Sequence, residues 1–442
     1  MLILLGFTAE LFFDEDETPM APESNPAPNF AEYDYSNFYY GAGDDPMNLL
    51  GPFSEWYREA LPNGYYLYSE PLQGAPETRV HVRNRKTGRI HDLINMASYN
   101  YLGISYRPEV KEAAIKAVEK YGLGASGSPI LSGTFDIHEE FNAELARFKG
   151  KEAVVVFPTG YSANVGFISG LMRAGDSIIL DQYSHASVVD GAILAKSNTV
   201  FFRHNNPLDL ERKLGKTKGK KLVVVEGVYS MDGDICTLPE LLEVAKRHGA
   251  RVLIDEAHST FLFGQNGRGV AEHFGLDDEV DFHLGTFSKS LGGQGGFVAG
   301  SRKLVDYINA FGRSRFFSCN LSPVLVAGLL AGIRIVQKEP ELRQKLWSNV
   351  AFLRRRFAEE GVDIGKSNSQ VMPVMVNNDA RVFAVAEKIQ DRGLFLQPVT
   401  YPAVPKHKSR LRISVSAAHT EADLETAVRV IASVLREEGV CQ

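Results

Sequence analysis

Short apolar runs alternate with amphipathic segments at helical spacing through the middle of the chain, from about residue 95 to residue 336. The runs consist almost entirely of hydrophobic residues and lie at 152–157, 177–180, 199–202, 221–226, 251–255 and 282–285. Continuous hydrophobic runs of this length, separated by helices, are typical of strands in a mainly parallel sheet that is covered on both faces. Ligands bind at the carboxyl ends of such strands, so the residues that follow each run are candidates for function.

The hydrophobic pattern is different at the two ends of the chain. Residues 1–52 become acidic and proline-rich after position 14 and predict a flexible tail, while residues 53–94 predict an arm with a short helix and a small sheet. Residues 337–442 contain amphipathic helical segments and apolar runs, at 342–360, 380–393, 421–438, 371–376 and 410–415. They predict a smaller α+β domain that follows a large α/β domain at 95–336.

Composition and charge narrow the class of protein. The chain has 442 residues, of which 44% are hydrophobic and 23% charged, as in folded proteins with two or three domains. The net charge of -6 argues against nucleic-acid binding, because contacts with a phosphate backbone require a clustered basic surface. The three cysteines are too widely spaced for a disulfide framework or a zinc site, so we expect a cytoplasmic protein without a bound metal.

The chain begins with an apolar stretch at residues 1–7. The stretch has no basic flank and is followed by acidic residues at 14–17, unlike a signal peptide. It is also far shorter than the roughly 20 apolar residues that a membrane-spanning helix needs. We therefore expect no transmembrane segment, whereas the sequence leaves peripheral contact with a membrane surface open.

Reactive side chains follow three of the apolar runs. One run ends at Asp255 and is followed three residues later by His258, and another is followed by His185. A third run is followed by two hydroxyls and an amine, those of Thr286, Ser288 and Lys289. Each residue alone has an ordinary structural explanation, such as a helix cap or a solvated lysine. Together they supply what pyridoxal phosphate (PLP) requires: an amine for an imine, a carboxylate for the pyridine nitrogen, and hydroxyls for the phosphate.

The order of motifs along the chain is similar to that of the α-oxoamine synthases, a family of fold-type I PLP enzymes. The matching motifs span Ser98–Gly103, Thr159–Asn164, Ser184–Ser187, Glu226–Gly233, Asp255–Ser259, Gly267–Val270, Gly285–Ser290 and Leu411–Ser414. Within the family, the motifs most resemble those of serine palmitoyltransferases. The resemblance implies an α/β, aspartate-aminotransferase-like fold with a mainly parallel seven-stranded sheet and PLP as the cofactor.

The resemblance implies a role for each residue around the cofactor ring. Lys289 carries PLP as a Schiff base and then removes the α-proton of the amino-acid substrate. Asp255 pairs with the pyridine nitrogen and keeps the ring an electron sink. His258, with Ser230 as a weaker candidate, contacts the phenolic oxygen of PLP, and His185 stacks on the ring face.

The resemblance also implies a phosphate site. The backbone N–H groups of Gly160 and Tyr161 lie at a predicted helix start, where unpaired N–H groups favour an anion. The hydroxyls of Thr286 and Ser288 are expected to add hydrogen bonds. Ser318 matches the position that reaches the phosphate of the other subunit, so the resemblance implies a homodimer with a shared active site.

Three further residues match positions that bind the substrates. Arg412 is expected to bind the amino-acid carboxylate, because a guanidinium can form two parallel hydrogen bonds with it. Asn100 is the expected second contact, and Tyr99 is expected near the acyl carbonyl. Pro129 stands where many relatives have an arginine, so the contact with the acyl donor is undetermined.

The resemblance implies a decarboxylative condensation of an amino acid with an acyl thioester. The preferred prediction is L-serine with a long-chain acyl group on coenzyme A, giving 3-ketosphinganine, the first step of sphingolipid synthesis. Alanine, glycine or a carrier-bound acyl group in another pathway is the alternative. A noncatalytic regulatory subunit is a further alternative, but the presence of Lys289 and its partners argues against it.

Overall fold

The computed structural model describes residues 35–39 and 43–441. Most of the predicted flexible tail, 1–52, therefore lies outside the described residues. Its described part is helical: short 3-10 turns at Tyr35–Phe38 and Pro46–Leu49 precede a helix that begins at Leu50. The side chain of Asp45 accepts a hydrogen bond from the backbone N–H of Met47 at 2.9 Å and so caps the second turn.

The helices and strands alternate as the apolar pattern predicts. The helices are α1 (Leu50–Ala60), α2 (Pro108–Tyr121), α3 (Asp136–Lys149), α4 (Gly160–Leu171), α5 (Ala186–Ala195), α6 (Pro207–Leu214), α7 (Leu238–Arg247), α8 (Val270–His273), α9 (Arg302–Phe311), α10 (Arg313–Phe316), α11 (Pro323–Lys338), α12 (Glu341–Glu359), α13 (Arg381–Asp391) and α14 (Glu421–Glu437). The strands are β1 (Arg79–Arg83), β2 (Ile90–Asn95), β3 (Ala153–Phe157), β4 (Ser177–Asp181), β5 (Asn198–Phe202), β6 (Lys221–Glu226), β7 (Arg251–Asp255), β8 (Phe282–Thr286), β9 (Gly296–Gly300), β10 (Val371–Met375), β11 (Leu394–Phe395), β12 (Gln397–Val399) and β13 (Arg410–Ser414). Within the described ranges, no helix has both the length and the apolar character needed to cross a membrane.

The central sheet has seven strands in the order β3-β9-β8-β7-β6-β4-β5. Strands β5, β4, β6, β7 and β8 pair in parallel, whereas β9 is antiparallel to both of its neighbours. The mainly parallel seven-stranded sheet is therefore confirmed. The apolar pattern alone missed β9, because that strand has only three apolar residues between two glycines. Gly296 is required there, since a Cβ atom would lie 2.6 Å from the Cα of Gly160 at the start of α4.

Alternate residues of the central strands enter two hydrophobic cores, one on each face of the sheet. Leu222 and Val224 of β6 pack in the core that contains α4, α5 and α9. Val223 and Val225 of the same strand pack in the larger core with α3, α7, α11 and α12. Because side chains alternate across a strand, a continuous apolar run fills both cores at once. The covered sheet leaves its carboxyl edge as the place where polar side chains gather.

The last part of the chain forms a second sheet, β10-β13-β12, whose pairs are antiparallel. A third sheet, β1-β2-β11, joins the arm to this part, since Leu394 of β11 pairs in parallel with Ile94 of β2. The predicted arm and the predicted C-terminal unit thus share a sheet. Helix α11 also runs through the predicted boundary at residue 336 and ends at Lys338.

Candidate active site

A cavity of about 440 Å³ lies at the carboxyl ends of β6, β7 and β8 and at the start of α4. Most of the predicted site residues line it, namely Tyr99, Gly160, Tyr161, His185, Ser230, Asp255, His258, Thr286, Ser288 and Lys289. These residues come from six separate parts of the sequence. The parallel sheet brings them together because its strands end at one edge.

Asp255 is a buried carboxylate at the last position of β7. Its two oxygens accept hydrogen bonds from Asn164 Nδ2 at 2.8 Å and from the backbone N–H of Ala257 at 2.9 Å. Among residues 35–39 and 43–441, no lysine or arginine lies within ion-pair distance of this carboxylate. A buried carboxylate held by neutral donors favours a cationic ligand group such as a protonated pyridine nitrogen.

Lys289, His258 and Tyr101 form a buried chain of polar groups beside Asp255. Lys289 Nζ lies 2.5 Å from His258 Nε2, and Tyr101 Oη lies 2.7 Å from His258 Nδ1. Burial, together with the charge of Arg412, lowers the pKa of Lys289 to about 8. Burial and the charges of Lys289 and Arg412 push the pKa of His258 well below its usual value of 6.5. The lowered pKa gives Lys289 a far larger neutral fraction near physiological pH than an ordinary lysine has, and the amine lies against an uncharged imidazole.

The start of α4 offers an anion site. The side chain of Thr159 accepts a hydrogen bond from the backbone N–H of Ser162 at 2.9 Å and caps the helix. The hydroxyls of Thr286 and Ser288 lie 3.0 Å apart on the facing strand end. A Cβ atom at Gly160 would lie 3.1 Å from Thr286 Oγ1, so the glycine keeps this approach open. Backbone N–H groups at a helix start and nearby hydroxyls together suit a phosphate.

His185 also lines the cavity, with its ring centre 6.4 Å from that of Tyr161 at the start of α4. Its Nδ1 lies 2.8 Å from Ser187 Oγ, and its backbone N–H donates to Glu226 Oε1 at 2.6 Å. Burial and the nearby charge of Asp255 raise the pKa of Glu226 well above its usual value of 4.5. The imidazole is therefore placed by a backbone contact and a hydroxyl, with its ring towards the cavity.

The arrangement fits PLP in every part of that cofactor. Lys289 would provide the amine for covalent attachment, and Asp255 would provide the carboxylate for the ring nitrogen. The α4 start with Thr286 would provide the phosphate site, and the imidazole of His185 would provide a flat group for the ring face.

Comparison with known proteins agrees with this geometry. Residues 91–431 match the family model described as aminotransferase class I and II. A serine palmitoyltransferase from Sphingobacterium spiritivorum is 39% identical over 384 residues, which cover 86% of this chain and 95% of the relative. An 8-amino-7-oxononanoate synthase from Thermoanaerobacter pseudethanolicus is 40% identical over 352 residues, which cover 79% of this chain and 89% of the relative. The chain belongs to the α-oxoamine synthases of this aminotransferase family.

A solved structure places this α-oxoamine synthase among the fold-type I PLP enzymes. A serine palmitoyltransferase variant from S. paucimobilis, with PLP and myriocin bound, superposes with a TM-score of 0.85 at 36% identity. The similarity covers 90% of this chain and 100% of that protein. The predicted fold class, the predicted enzyme class and PLP as the cofactor are therefore confirmed.

Three predicted site residues of this synthase do not line the cavity. Asn100, expected to bind the substrate carboxylate, is buried elsewhere: its Oδ1 accepts from the N–H of Ile104 at 3.0 Å, and its Nδ2 donates to Ser105 Oγ at 3.0 Å. The side chain thus holds a turn in this structure, and its contact with the substrate carboxylate stays a prediction. Ser318 donates to the carbonyl of Ser314 at 2.8 Å and lies outside the cavity of its own chain.

Arg412 lies at the edge of the cavity, next to Tyr99. Its guanidinium carbon is 4.4 Å from the centre of the Tyr99 ring, and its Nε donates to the carbonyl of Ser230 at 2.7 Å. Stacking and the backbone hydrogen bond fix the plane of the guanidinium. Arg412 lines a second pocket, described below, which shares Tyr99 with the cofactor cavity.

Sequence reasoning missed several residues that organise this synthase site. Asn164, Tyr101 and Glu226 belong to the matched motifs, but no role was predicted for any of them. Asn164 is a buried polar residue in an otherwise apolar helix, which is the available signal for a functional contact. Tyr101 and Glu226 gave no such signal, because their importance depends on contacts with distant residues that only the fold brings close.

Proposed function

We propose that the enzyme condenses L-serine with a long-chain acyl thioester, releases carbon dioxide and forms 3-ketosphinganine, the first step of sphingolipid synthesis. The observation that carries the proposal is an apolar pocket of about 380 Å³ that adjoins the cofactor cavity and shares Tyr99 with it. An α-oxoamine synthase must hold an amino acid and an acyl group side by side, and two adjoining spaces of different character suit that requirement.

The cofactor cavity suits the amino-acid half of this reaction. PLP, when bound, supplies an electron sink for the α-carbon of the amino acid. Lys289 acts as the base at that carbon, because its lowered pKa of about 8 leaves a neutral amine within reach near physiological pH. Asp255 holds the pyridine nitrogen protonated, and Arg412 binds the substrate carboxylate as a planar pair of donors. His258 and Ser230 contact the phenolic oxygen of the cofactor.

The second pocket suits the acyl half. We call it the arm pocket, because Tyr68 of the arm and Tyr35 of the preceding tail form one wall and the segment 397–403 forms another. Met231, Val399 and several aromatic rings make its surface largely apolar. Among its described lining residues, Arg412 alone is charged. A neutral hydrocarbon chain matches this surface, since each buried methylene contributes about 0.8 kcal/mol.

A homodimer with a shared active site is part of the proposal. Large apolar side chains are exposed on two segments, 123–131 and 316–318. The exposed fractions are 83% for Leu123, 82% for Leu131 and 71% for Phe317. The segments are joined by a hydrogen bond from Ser128 Oγ to the carbonyl of Phe316 at 3.1 Å. Clustered exposed apolar residues mark interaction surfaces. A second copy packed here would bring Ser318 towards the phosphate site of the other subunit.

The alternative substrates come from the same family. The similar identities of 39% and 40% to the two kinds of synthase above favour neither, so alanine or glycine and a carrier-bound acyl group form the second candidate function. Pro129, in place of an arginine common in relatives, supports a different acyl donor. The second candidate also includes acyl carrier protein, in place of coenzyme A, as the carrier of the acyl group. A cytoplasmic location stays a prediction, and peripheral membrane contact is left open by the sequence.

Release of labelled carbon dioxide tests the proposed function. The holoenzyme would be incubated with carboxyl-labelled serine, alanine or glycine and with acyl thioesters from short to long chains. We expect release from serine that requires the thioester and increases with chain length. Release of carbon dioxide from alanine or glycine but not from serine would support the second candidate function instead. Release without any thioester would contradict both candidate functions.

A further inference from the structure

Gln397 lies directly opposite Arg412 in the second sheet. The first residue of β12 pairs with the middle residue of β13, so their side chains lie on the same face of the sheet. Directly paired residues in antiparallel strands have Cβ atoms about 5 Å apart. Both side chains line the arm pocket next to Tyr99. Gln397 is thus close to the group that is proposed to bind the substrate carboxylate.

The side-chain amide of Gln397 has no hydrogen-bond partner among the described residues, although its Oε1 atom is buried. Buried polar atoms are normally hydrogen-bonded, and an unpaired one destabilises the protein unless a ligand completes it. The orientation of the amide does not change this, because exchanging its oxygen and nitrogen leaves a buried nitrogen without a partner instead. The amide therefore indicates a ligand group that is absent from the protein itself.

We propose that Gln397 hydrogen-bonds the side-chain hydroxyl of the amino-acid substrate and thereby selects serine over alanine and glycine, an inference that rests on the proposed function. The hydroxymethyl group of serine is joined to the same α-carbon as the carboxylate, so a carboxylate on Arg412 brings the hydroxyl near the paired position. A hydroxyl both donates and accepts, and it satisfies either orientation of the amide. A carboxylate only accepts, so it would complete the amide in one orientation alone and leave the buried Oε1 of the other unpaired.

The unpaired amide disfavours amino acids without a side-chain hydroxyl. Alanine or glycine would leave the amide unpaired in a site closed by substrate, whereas serine would complete it. Sites built to hydrogen-bond a substrate hydroxyl discriminate strongly against analogues that lack it. We expect the kcat/KM of the wild-type enzyme for serine to exceed that for alanine by about 10-fold to 100-fold.

The test compares Gln397→Met and Gln397→Leu with the wild-type holoenzyme. Both replacements remove the amide and keep most of its volume. The kcat/KM for serine and for alanine would be measured with one acyl thioester, and amino-acid dissociation constants would be measured from changes in cofactor absorbance without thioester. We expect the serine-to-alanine ratio to fall at least about 10-fold, mainly through weaker serine binding, with alanine unchanged or improved. Gln397→Asn should restore part of the ratio.

Thr400→Val is the matched control, because Thr400 lines the same pocket and loses a hydroxyl without touching the Gln397 amide. Its serine-to-alanine ratio should equal that of the wild type. An equal loss for serine and alanine in the Gln397 variants would show a contact with the carboxylate and would overturn the inference. An unchanged ratio, or a wild-type preference for alanine, would overturn it as well. A wild-type enzyme that condenses neither amino acid would contradict the proposed function itself, and this inference with it.

Discussion

Lys289 Nζ lies 2.5 Å from His258 Nε2, so the one amine among the described residues that line the cofactor cavity contacts an uncharged ring rather than a carboxylate. A carboxylate partner would stabilise the ammonium form and raise the pKa of the lysine. Burial and the charge of Arg412 instead lower that pKa to about 8, against the opposing charges of Asp255 and Glu226. The site thus prepares a neutral amine that can attach the cofactor and, in the proposed reaction, accept the α-proton.

The pH dependence of cofactor attachment tests this description of Lys289. A base with a lowered pKa becomes neutral, and therefore nucleophilic, above the lowered value. The rate at which PLP attaches to the apoenzyme should rise with pH up to about 8 and then level off. Stopped-flow absorbance would measure it. In Arg412→Gln the plateau should move to higher pH, because a charge that lowers the pKa is removed; a wild-type plateau near the usual lysine value of 10.5 would contradict the description.

Tyr101→Phe tests the role of the hydrogen bond behind His258. The substitution leaves His258 Nδ1 buried without the phenol that lies 2.7 Å away. A lost hydrogen bond of this kind costs about 1–2 kcal/mol, so we expect kcat to fall about 5- to 30-fold with little change in KM for the amino acid. Tyr229→Phe is the matched control, because the buried Tyr229 hydroxyl has no partner among the described residues. Equal effects of the two substitutions on kcat would argue against a positioning role for Tyr101.

The main features of the fold could be predicted because the central strands are buried on both faces. Such strands are continuous apolar runs, and the structure confirms six of them within a few residues of their predicted bounds. The antiparallel β9 could not be recognised in the same way. Its Gly296 is needed because the backbone of α4 lies too close for a side chain, and a hydrophobic pattern does not show this. The short strands β11 and β12 also escaped prediction, because residues 394–399 are too few to show alternation.

The sequence could predict those site residues that directly follow the end of a predicted strand. Lys289, Asp255 and His258 met that condition, and the structure places them in one cavity. Asn100 did not, because a side chain in a motif can equally hold the motif's own turn, and its hydrogen bonds show that it does. Gln397 could not be recognised at all, since its position opposite Arg412 depends on strand register.

Val399→Trp tests the proposed use of the arm pocket. Val399 lines the pocket and lies on an edge strand, so a larger side chain there should shorten the space available to the acyl chain. Each methylene that is no longer buried should reduce kcat/KM about fourfold, from about 0.8 kcal/mol per methylene. Kinetics with a series of acyl thioesters should show a shorter preferred chain. Tyr65→Ala, an arm substitution outside the pocket, should keep the wild-type profile, and an unchanged profile in Val399→Trp would exclude the arm pocket as the acyl site.

His204→Gln tests the charge cluster that His204 forms with Asp181 and Asp234. Burial opposes the charge on His204, but hydrogen bonds to Asp181 and Asp234 at 2.9 Å and 2.8 Å raise its pKa to about 10. A raised pKa stabilises the fold fully below the unfolded value of 6.5, and the stabilisation is lost as pH rises through about 10. We expect the variant to lose about 2–4 kcal/mol of unfolding free energy at pH 6 and much less near pH 10, by urea denaturation. His81→Gln, at an exposed position of β1, should show no such difference; an equal loss for His204→Gln at both pH values would contradict the charged pair.

Mass spectrometry of the product tests the central claim most directly. The holoenzyme would be supplied with L-serine and a series of acyl thioesters from short to long chains, beside Lys289→Ala as the inactive control. The account predicts an α-amino ketone that retains the hydroxymethyl group of serine and the whole acyl chain, lacks the serine carboxylate, and is absent with Lys289→Ala. No product from serine with any thioester, or a product formed only from alanine or glycine, would contradict it.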